Sequence, residues 1–474
     1  MNEVNGIAEV EVRSDGLGFA GLYAQALGSM APPYNCIVVG SVIAALSGHG
    51  IAAAFLLAGF AMMFYGITIV SLADNVTSTG GLYGMVGSTL GRRAALWFGG
   101  ALVLNGLFSI PATVVSAAYL LQLIVGAWAP SNVFAQSWLL WVAILTPLAF
   151  LVSYLGADVS ARVVLTIIGC GMIAIVFLDV TIVAHVGLNA VPWSTLYEPT
   201  QGGAGRSGMM LSVGVAVITL AGSESAIYLA GEARNPKRHI PWAVYGSIGA
   251  AALFYLLTSL AFSAALPSNS LADLWGKNGP EVVSKLGTTY ISKGFAIATL
   301  SLVAASAFAG VISFINYIAR VMLAMAEDRY LPASFAVLDS RQSPWISITV
   351  LAVLTVASFA IGYCMLGDRP DGAITFFTWL YFGVTLFLIS NYILICVSAV
   401  VHGKSKGNSG LRTYIAPFVT LGIMLLATKA ELTPLPPPPF DVASWFAIGL
   451  LAFVVIYAEW VVRGRVVEAK IPRS

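Results

Sequence analysis

The sequence predicts an all-α polytopic membrane protein with twelve spanning helices, and three observations carry that reading. Of its 474 residues, 58% are hydrophobic and only 9% are charged, against about 25% charged in an ordinary soluble domain. Mean hydropathy is +0.88, and 23 Lys plus Arg against 21 Asp plus Glu leave a formal charge of +2. That is too little charge to coat a water-facing globule of this size, and too balanced for a nucleic-acid footprint. Finally, apolar runs recur along the whole chain, and about 20 apolar residues suffice for one crossing.

Taken in order, the runs fall near 17–47, 50–73, 94–126, 134–156, 160–186, 208–230, 240–266, 292–322, 345–366, 373–401, 413–428 and 442–462. Before them, residues 1–16 form a polar tail, with Glu3, Glu9, Glu11 and Asp15 around a lone Arg13. The tail has neither the basic start nor the cleavage site of a signal peptide. Residues 464–474 form a second tail. Twelve crossings put both tails on one side, and the cations say which. Seventeen Lys and Arg fall on the side of the tails, Arg92, Arg93, Lys237, Arg238 and Arg320 among them, against six on the other (Arg206, Lys277, Lys285, Lys293, Arg369 and Lys429). By the positive-inside rule both termini are cytoplasmic, as in a multi-pass protein of a bacterial inner membrane.

The first run contains ALGSMAPPYNCIVVGSV, in which Pro32 and Pro33 remove two helix donors and push the residues before them out of helical geometry. A break around Ser29 to Pro33 is expected, or else a packed proline kink. A true break in lipid must be buried or line a cavity, because each freed backbone group needs a partner. Between the first two runs, His49 sits between Gly48 and Gly50, as a turn residue or a pH sensor. In the third run Asn105 is a candidate cavity residue.

The fifth run starts with Arg162 and carries Asp179 and His185 late, about 26 and 35 Å of helical rise further on. Both are expected to approach the outer interface, where solvation or helix packing accounts for them. The sixth run holds VITLAGSESAIYLAGEA, where Gly222, Ser223, Glu224 and Ser225 interrupt an apolar helix. A glutamate at membrane depth is costly. It is either functional or satisfied by backbone amides and a hydroxyl.

Further along, residues 267–291 make the longest loop, the best candidate for a small external cap. Ser306 and Ser313 in the eighth run and Tyr381 in the tenth are candidate cavity residues, although small hydroxyls also serve helix packing. TPLPPPPF (433–440) reads as a stiff outer connection. Cys36, Cys170, Cys364 and Cys396 all lie in apolar runs without metal-ligand spacing, which reads as buried thiols rather than a disulfide or zinc framework.

The two interruptions fall in the first and sixth runs, corresponding positions of two five-helix halves. That pairing points to inverted repeats with a site near the bilayer midplane. Half-helix N-termini favour a carboxylate, and unwound carbonyls favour an ammonium or a cation. A zwitterion fits both.

At this point the sequence resembles the amino acid-polyamine-organocation (APC) superfamily. LADNVTSTGGLY (72–83), GSESAIYLAGEARNPKRHIP (222–241) and ARVMLAMAEDRYLP (319–332) are similar to its motifs after helix two, at helix six and at the end of helix eight. The resemblance implies a leucine-transporter-like five-plus-five repeat, with helices 1–5 in 17–188, helices 6–10 in 208–402 and two extra helices in 411–463. It also implies that the unwound part of helix one lines the substrate site through Ser29, Met30, Ala31 and Pro32, where the usual Gly-Ser-Gly is replaced. From helix six it brings Thr219, Gly222, Ser223 and Glu224 to the site, with Glu224 near a substrate amine or acting in gating. The aromatic gate often found in front of that glutamate is missing from Val217 to Ala221. Relatives often have a lysine early in helix five; here Arg162 stands there. Arginine keeps its proton, so Arg162 would be a fixed charge or an interface anchor, not a proton carrier.

The resulting expectation is a secondary active transporter of an amino acid or related small amine, working by alternating access in the bilayer, without a prosthetic group and with protons as the candidate coupling ion. A polyamine exchanger is the alternative within the class, weakened by a single acid at the site. A membrane ligand sensor without flux is the alternative from another class. An intramembrane enzyme is disfavoured: of four histidines, His239 and His402 fall in loops, and no nucleophile has a paired base.

Overall fold

A computed structural model of the chain describes residues 16–73, 80–127, 129, 131–198, 200, 205–267, 271–277, 279–367, 369, 372–407, 410–432 and 440–468. Residues 74–79 of the first APC-like motif, the prolines of 433–439 and most of both tails lie outside the described residues. Among the described residues there is helix and no strand; a single isolated bridge pairs Leu17 with Ala233.

The long helices follow the apolar runs. They are α1 (Phe19–Met30), α2 (Gly40–Ser47), α3 (Ile51–Ala73), α4 (Gly81–Leu90), α5 (Arg92–Gly126), α6 (Trp138–Tyr154), α7 (Ala157–Val186) and α8 (Gly205–Thr219). There follow α9 (Pro236–Ala265), α10 (Glu281–Tyr290), α11 (Lys293–Glu327), α12 (Trp345–Leu366), α13 (Gly372–Ser405), α14 (Ala416–Leu432) and α15 (Phe440–Glu468). Ten stretches among the described residues are long and apolar enough to cross a membrane. Phe19–Leu72 is one stretch of 54 residues, although the backbone turns within it at Gly48 (φ 54°), and Trp138–Tyr154 is a shorter apolar helix.

α5, α11 and α13 form the centre: 67% of each apolar window is buried, against 11% for α15 at the periphery. α5 packs along both α13 and α11, and α9 packs along α3, α7 and α1. Glycine allows the closest of these approaches, as small residues do between helices in lipid. At Gly28 an added Cβ would come within 2.2 Å of Ser313 Oγ and 2.5 Å of Val164 Cγ1, so α1 is wedged against α11 and α7.

Two sequence expectations change here and two are sharpened. Cys36 and Cys396 are buried, but Cys170 and Cys364 are exposed, because they fall on outward faces of α7 and α12. Arg320, sorted above with loop cations, is buried within α11. Of solvation and helix packing, the two readings of Asp179, its burial selects packing. The loop 267–291 contains a π-helical turn (Ala272–Lys277) and α10, and its buried Trp275 donates to Ile37 O at 3.1 Å, fastening the loop to the first apolar stretch. His49 lies in the turn expected for it, buried in a 3-10 segment Gly48–Gly50.

Candidate functional site

The two interruptions are real, and they touch. α1 stops at Met30 because Ala31 adopts a left-handed conformation (φ 40°, ψ 60°) and two prolines follow. The Ala31 N–H closes the helix by donating to Leu27 O and Gly28 O, each at 3.0 Å. Beyond the prolines the chain resumes as a π-helix, Asn35–Val39, before α2. The sixth run breaks differently. α8 ends at Thr219, Gly222 takes φ 114°, and a 3-10 helix runs over Ser223–Glu232. Only glycine accepts that φ at no steric cost. A Cβ at Gly222 would also lie 2.9 Å from Ser29 Cβ, so the second break is pressed against the first.

Asn35 joins the two helix ends. Its Nδ2 donates to Met30 O at 2.6 Å and to Thr219 O at 3.3 Å, the terminal carbonyls of α1 and α8. Tyr255 of α9 donates to the same Thr219 O at 3.0 Å. A second knot lies one turn earlier on α1. Gln25 O accepts from Ser29 Oγ (3.2 Å) and from Ser225 Oγ (3.0 Å), while Gln25 Nε2 donates to Ser313 O of α11 (3.0 Å). Carbonyls freed by the breaks are thus satisfied within the protein, as burial in lipid demands.

Glu224, at the start of the 3-10 helix, is buried. Its Oε1 accepts from Tyr392 of α13 at 3.0 Å and its Oε2 from the Gly222 N–H at 3.1 Å. Tyr392 stacks on Tyr65 of α3 with ring centroids 4.2 Å apart, which fixes the phenol that holds the carboxylate. The hydroxyl and the backbone amide are the two partners expected of a satisfied glutamate. The same residue also lines a cavity.

That cavity lies where the breaks meet and encloses about 70 Å³ accessible to the centre of a water molecule. Ser29, Ala31, Tyr34 and Asn35 come from the first break, and Ile218, Ala221, Gly222 and Glu224 from the second. α5 contributes Asn105, Ser109, Ala112 and Thr113; α11 contributes Gly310, Phe314 and Tyr317; α13 contributes Phe377, Tyr381, Val384 and Leu388. Glu224 is the one carboxyl among the lining residues, and no Lys, Arg or His is among them. Asn105, Ser109 and Thr113 recur every four residues and so share one face of α5. Asn105 is held by donating to Val384 O at 3.1 Å.

Of the residues expected at the site, Ser29, Ala31, Gly222 and Glu224 line the cavity. Met30, Pro32, Thr219 and Ser223 are buried beside it, Met30 and Thr219 contributing the carbonyls that Asn35 bridges. Arg162 is exposed near the start of α7 and is not brought to the cavity. Asn105 and Tyr381 line it as anticipated; Ser306 and Ser313 are buried elsewhere on α11. Sequence reasoning missed Asn35, Ser109, Thr113 and Tyr392. The spacing from Asn105 could have found Ser109 and Thr113, and Asn35 stands in plain view after the two prolines. Tyr392 gave no signal, because its partner is 168 residues away. The aromatics absent from Val217–Ala221 come instead from other elements, as Tyr34, Phe314, Phe377 and Tyr381.

Below the cavity the second break is latched at the end of the bundle where α1 begins. Arg320 of α11 forms a two-pronged ion pair with Glu232 (Nε to Oε1 2.5 Å, Nη2 to Oε2 3.0 Å) and donates to Asn316 O. Asn316 Nδ2 donates to Ser160 Oγ of α7 at 2.9 Å. The backbone of Leu17 donates to Glu232 O (2.7 Å) and accepts from Arg234 N (2.9 Å). One end of the 3-10 helix is thereby tied to α1, α7 and α11.

Comparison with known proteins agrees with this architecture. A branched-chain amino acid permease of Lactococcus lactis is 24% identical over 338 residues, 67% of this chain and 69% of that protein. The aromatic amino acid transport protein of Salmonella typhimurium is 23% identical over 248 residues, 51% of each chain. A putrescine transporter of Haemophilus influenzae is 27% identical over 149 residues, 31% of this chain and 33% of that protein. The family model described as amino acid permease matches residues 21–460, nearly the whole chain including both breaks, and on that match the chain belongs to the amino acid permease family.

Proposed function

We propose that this protein carries an amino acid or a related small amine across the cytoplasmic membrane by alternating access. The observation that carries the reading is the cavity at the junction of two broken helices, with Glu224 its one carboxyl. A single acid suits one ammonium group; a polyamine would leave its further charges without partners in a low-dielectric site. Ser29, Ala31, Gly222 and Glu224 are assigned to the substrate. Met30, Pro32, Thr219 and Ser223 shape the breaks that present it. Arg162, exposed and away from the cavity, is assigned to anchoring α7 at the interface rather than to coupling.

A monoamine without a carboxylate is the second reading, and one feature favours it. Pro32 and Pro33 have no N–H and the Ala31 N–H is used within α1, so the first break has no amide from Ala31 to Pro33 to offer a carboxylate. The branched-chain and aromatic relatives are named for amino acids, whereas the putrescine relative is named for a diamine and bears on the polyamine alternative.

The membrane arrangement belongs to the same proposal. A 54-residue stretch is about 81 Å of helix, against about 30 Å of hydrocarbon, so Phe19–Leu72 counts as two crossings separated at Gly48. The 17 residues of Trp138–Tyr154 lie at the short end of the usual range and count as one. Twelve crossings then follow, with 17–188 and 208–402 as inverted repeats, and the cation bias puts both ends in the cytoplasm.

The test is uptake into proteoliposomes preloaded with unlabelled amino acids and amines, screened with single labelled compounds. Trans-stimulated uptake of one compound is expected, with Glu224→Gln inserting normally and losing about 10- to 100-fold in uptake rate, about 1.4 to 2.8 kcal/mol. Binding without flux across the panel would instead identify a sensor, and unchanged uptake by Glu224→Gln would remove Glu224 from the site.

A further inference from the structure

A second buried acid lies outside the cavity. Asp179 is on α7, seven residues before its end, and is 6% exposed. Thr258 of α9 donates to its Oδ2 at 2.7 Å. Its Oδ1 is equally buried and has no hydrogen-bond partner among the described residues. The groups that face it are Thr258 from α9 and the Cys36 thiol from the π-helical turn, with Tyr255 of α9 beyond Cys36. No charged side chain faces it among the described residues. A helix-packing role would need only the one hydrogen bond to Thr258, which a neutral asparagine could also make. A buried carboxyl with one oxygen idle and no counter-ion is a poor packing element, since its charged form has nothing to neutralise it.

The surroundings connect this carboxyl to both helix breaks. Thr258 meets Asp179 on one side and Cys36 on the other, and Cys36 belongs to the π-helix that follows the first break. One turn earlier on α9, Tyr255 donates to Thr219 O, the carbonyl that ends α8. Asn35, next to Cys36, donates to that same carbonyl and to Met30 O. A change of charge at Asp179 therefore acts on α9 and on the turn after the first break, the two elements whose side chains hold the ends of α1 and α8.

We propose that Asp179 is a proton-binding site whose occupancy is coupled to substrate movement. The idle Oδ1 takes up a proton as an O–H bond when the site is open to one face of the membrane, and releases the same proton when it is open to the other. The inference rests on the transport reading of the cavity. It adds to that reading the residue that carries the coupled proton.

The experiment uses the full chain in proteoliposomes and whichever of labelled L-leucine, L-phenylalanine or putrescine it exchanges. Wild type is expected to accumulate the compound under a one-unit pH gradient, up to about tenfold. Asp179→Asn is expected to lose that accumulation and to keep trans-stimulated exchange at equal pH. Asp179→Glu is expected to recover part of the gradient response. Equal accumulation by wild type and Asp179→Asn, or a wild type indifferent to the gradient, would overturn the proposal while leaving exchange intact. If Asp179→Asn does not insert, Thr258→Val takes its place. Removing the one hydroxyl bonded to Asp179 is expected to displace the pH midpoint of uptake, and an unmoved midpoint would overturn the proposal. A wild type that exchanges none of the three compounds would sink the transport reading itself, and that is read without any gradient.

Discussion

The two broken helices meet at one cavity but are broken by opposite means. At the first break, two prolines forbid the helix and Ala31 is driven into a left-handed conformation that costs an L-residue about 1–2 kcal/mol. At the second, nothing forbids the helix; Gly222 simply reaches φ 114°, which its neighbours cannot. The first break is imposed by covalent structure and persists in any conformation. The second is held by contacts, with Ser29 against Gly222 and Tyr392 on Glu224. A moving part needs the second kind and a fixed receptor edge the first, so the region from Gly222 to Glu232 is the better candidate for the element that rearranges.

Three substitutions test that contrast. The largest effect is expected at Gly222→Ala, where a Cβ meets Ser29 at 2.9 Å in a left-handed conformation. Overpacking and strain together predict a loss of about 2–5 kcal/mol and of transport, measured as thermal stability in detergent and uptake in vesicles. A near-normal melting temperature would mean that the breaks do not press together as described. Asn35→Ala comes next. It strips one donor from Met30 O and one from Thr219 O, which keeps Tyr255, and about 1–3 kcal/mol is expected for leaving the buried Met30 carbonyl unpaired. Stability unchanged within about 0.5 kcal/mol would show that the two ends are not joined there. The smallest effect is expected at Ala31→Gly, which relieves the strain while the prolines still enforce the break. A gain of up to about 1 kcal/mol with uptake preserved fits a covalently imposed break, whereas lost uptake would show that Ala31 does more than turn the chain.

Much of the fold was legible because lipid leaves few solutions. Apolar runs have to become helices, and Pro32–Pro33 and Gly222–Ser225 had to be where they stop. Glu224 was legible for the same reason, as a lone acid in such a run. What could not be read was rotation about a helix axis. Asp179 could be read as solvated or packed, and only the fold, burying it against Thr258, chooses between the two. Arg320, close enough to a helix end to pass for a loop cation, turns inward to Glu232. Asn35 was in view beside the two prolines, but that it bridges to Thr219, 184 residues away, was not. Height comes from counting residues, while facing comes from partners that only the folded chain supplies.

The latch of Leu17, Glu232, Arg234 and Arg320 has a consequence for how the protein spends its time. Opening that end means releasing two backbone bonds and both prongs of the ion pair. At about 0.5–1.5 kcal/mol net for each bond, the opening costs on the order of 2–6 kcal/mol. The open form would then account for between about one molecule in thirty and one in twenty thousand. A compound arriving from that side finds few receptive molecules, and its apparent affinity falls by the same fraction. The same compound presented at the opposite face does not have to break this latch, so its apparent affinity there is set by other contacts and the carrier would look like two different binders to its two compartments.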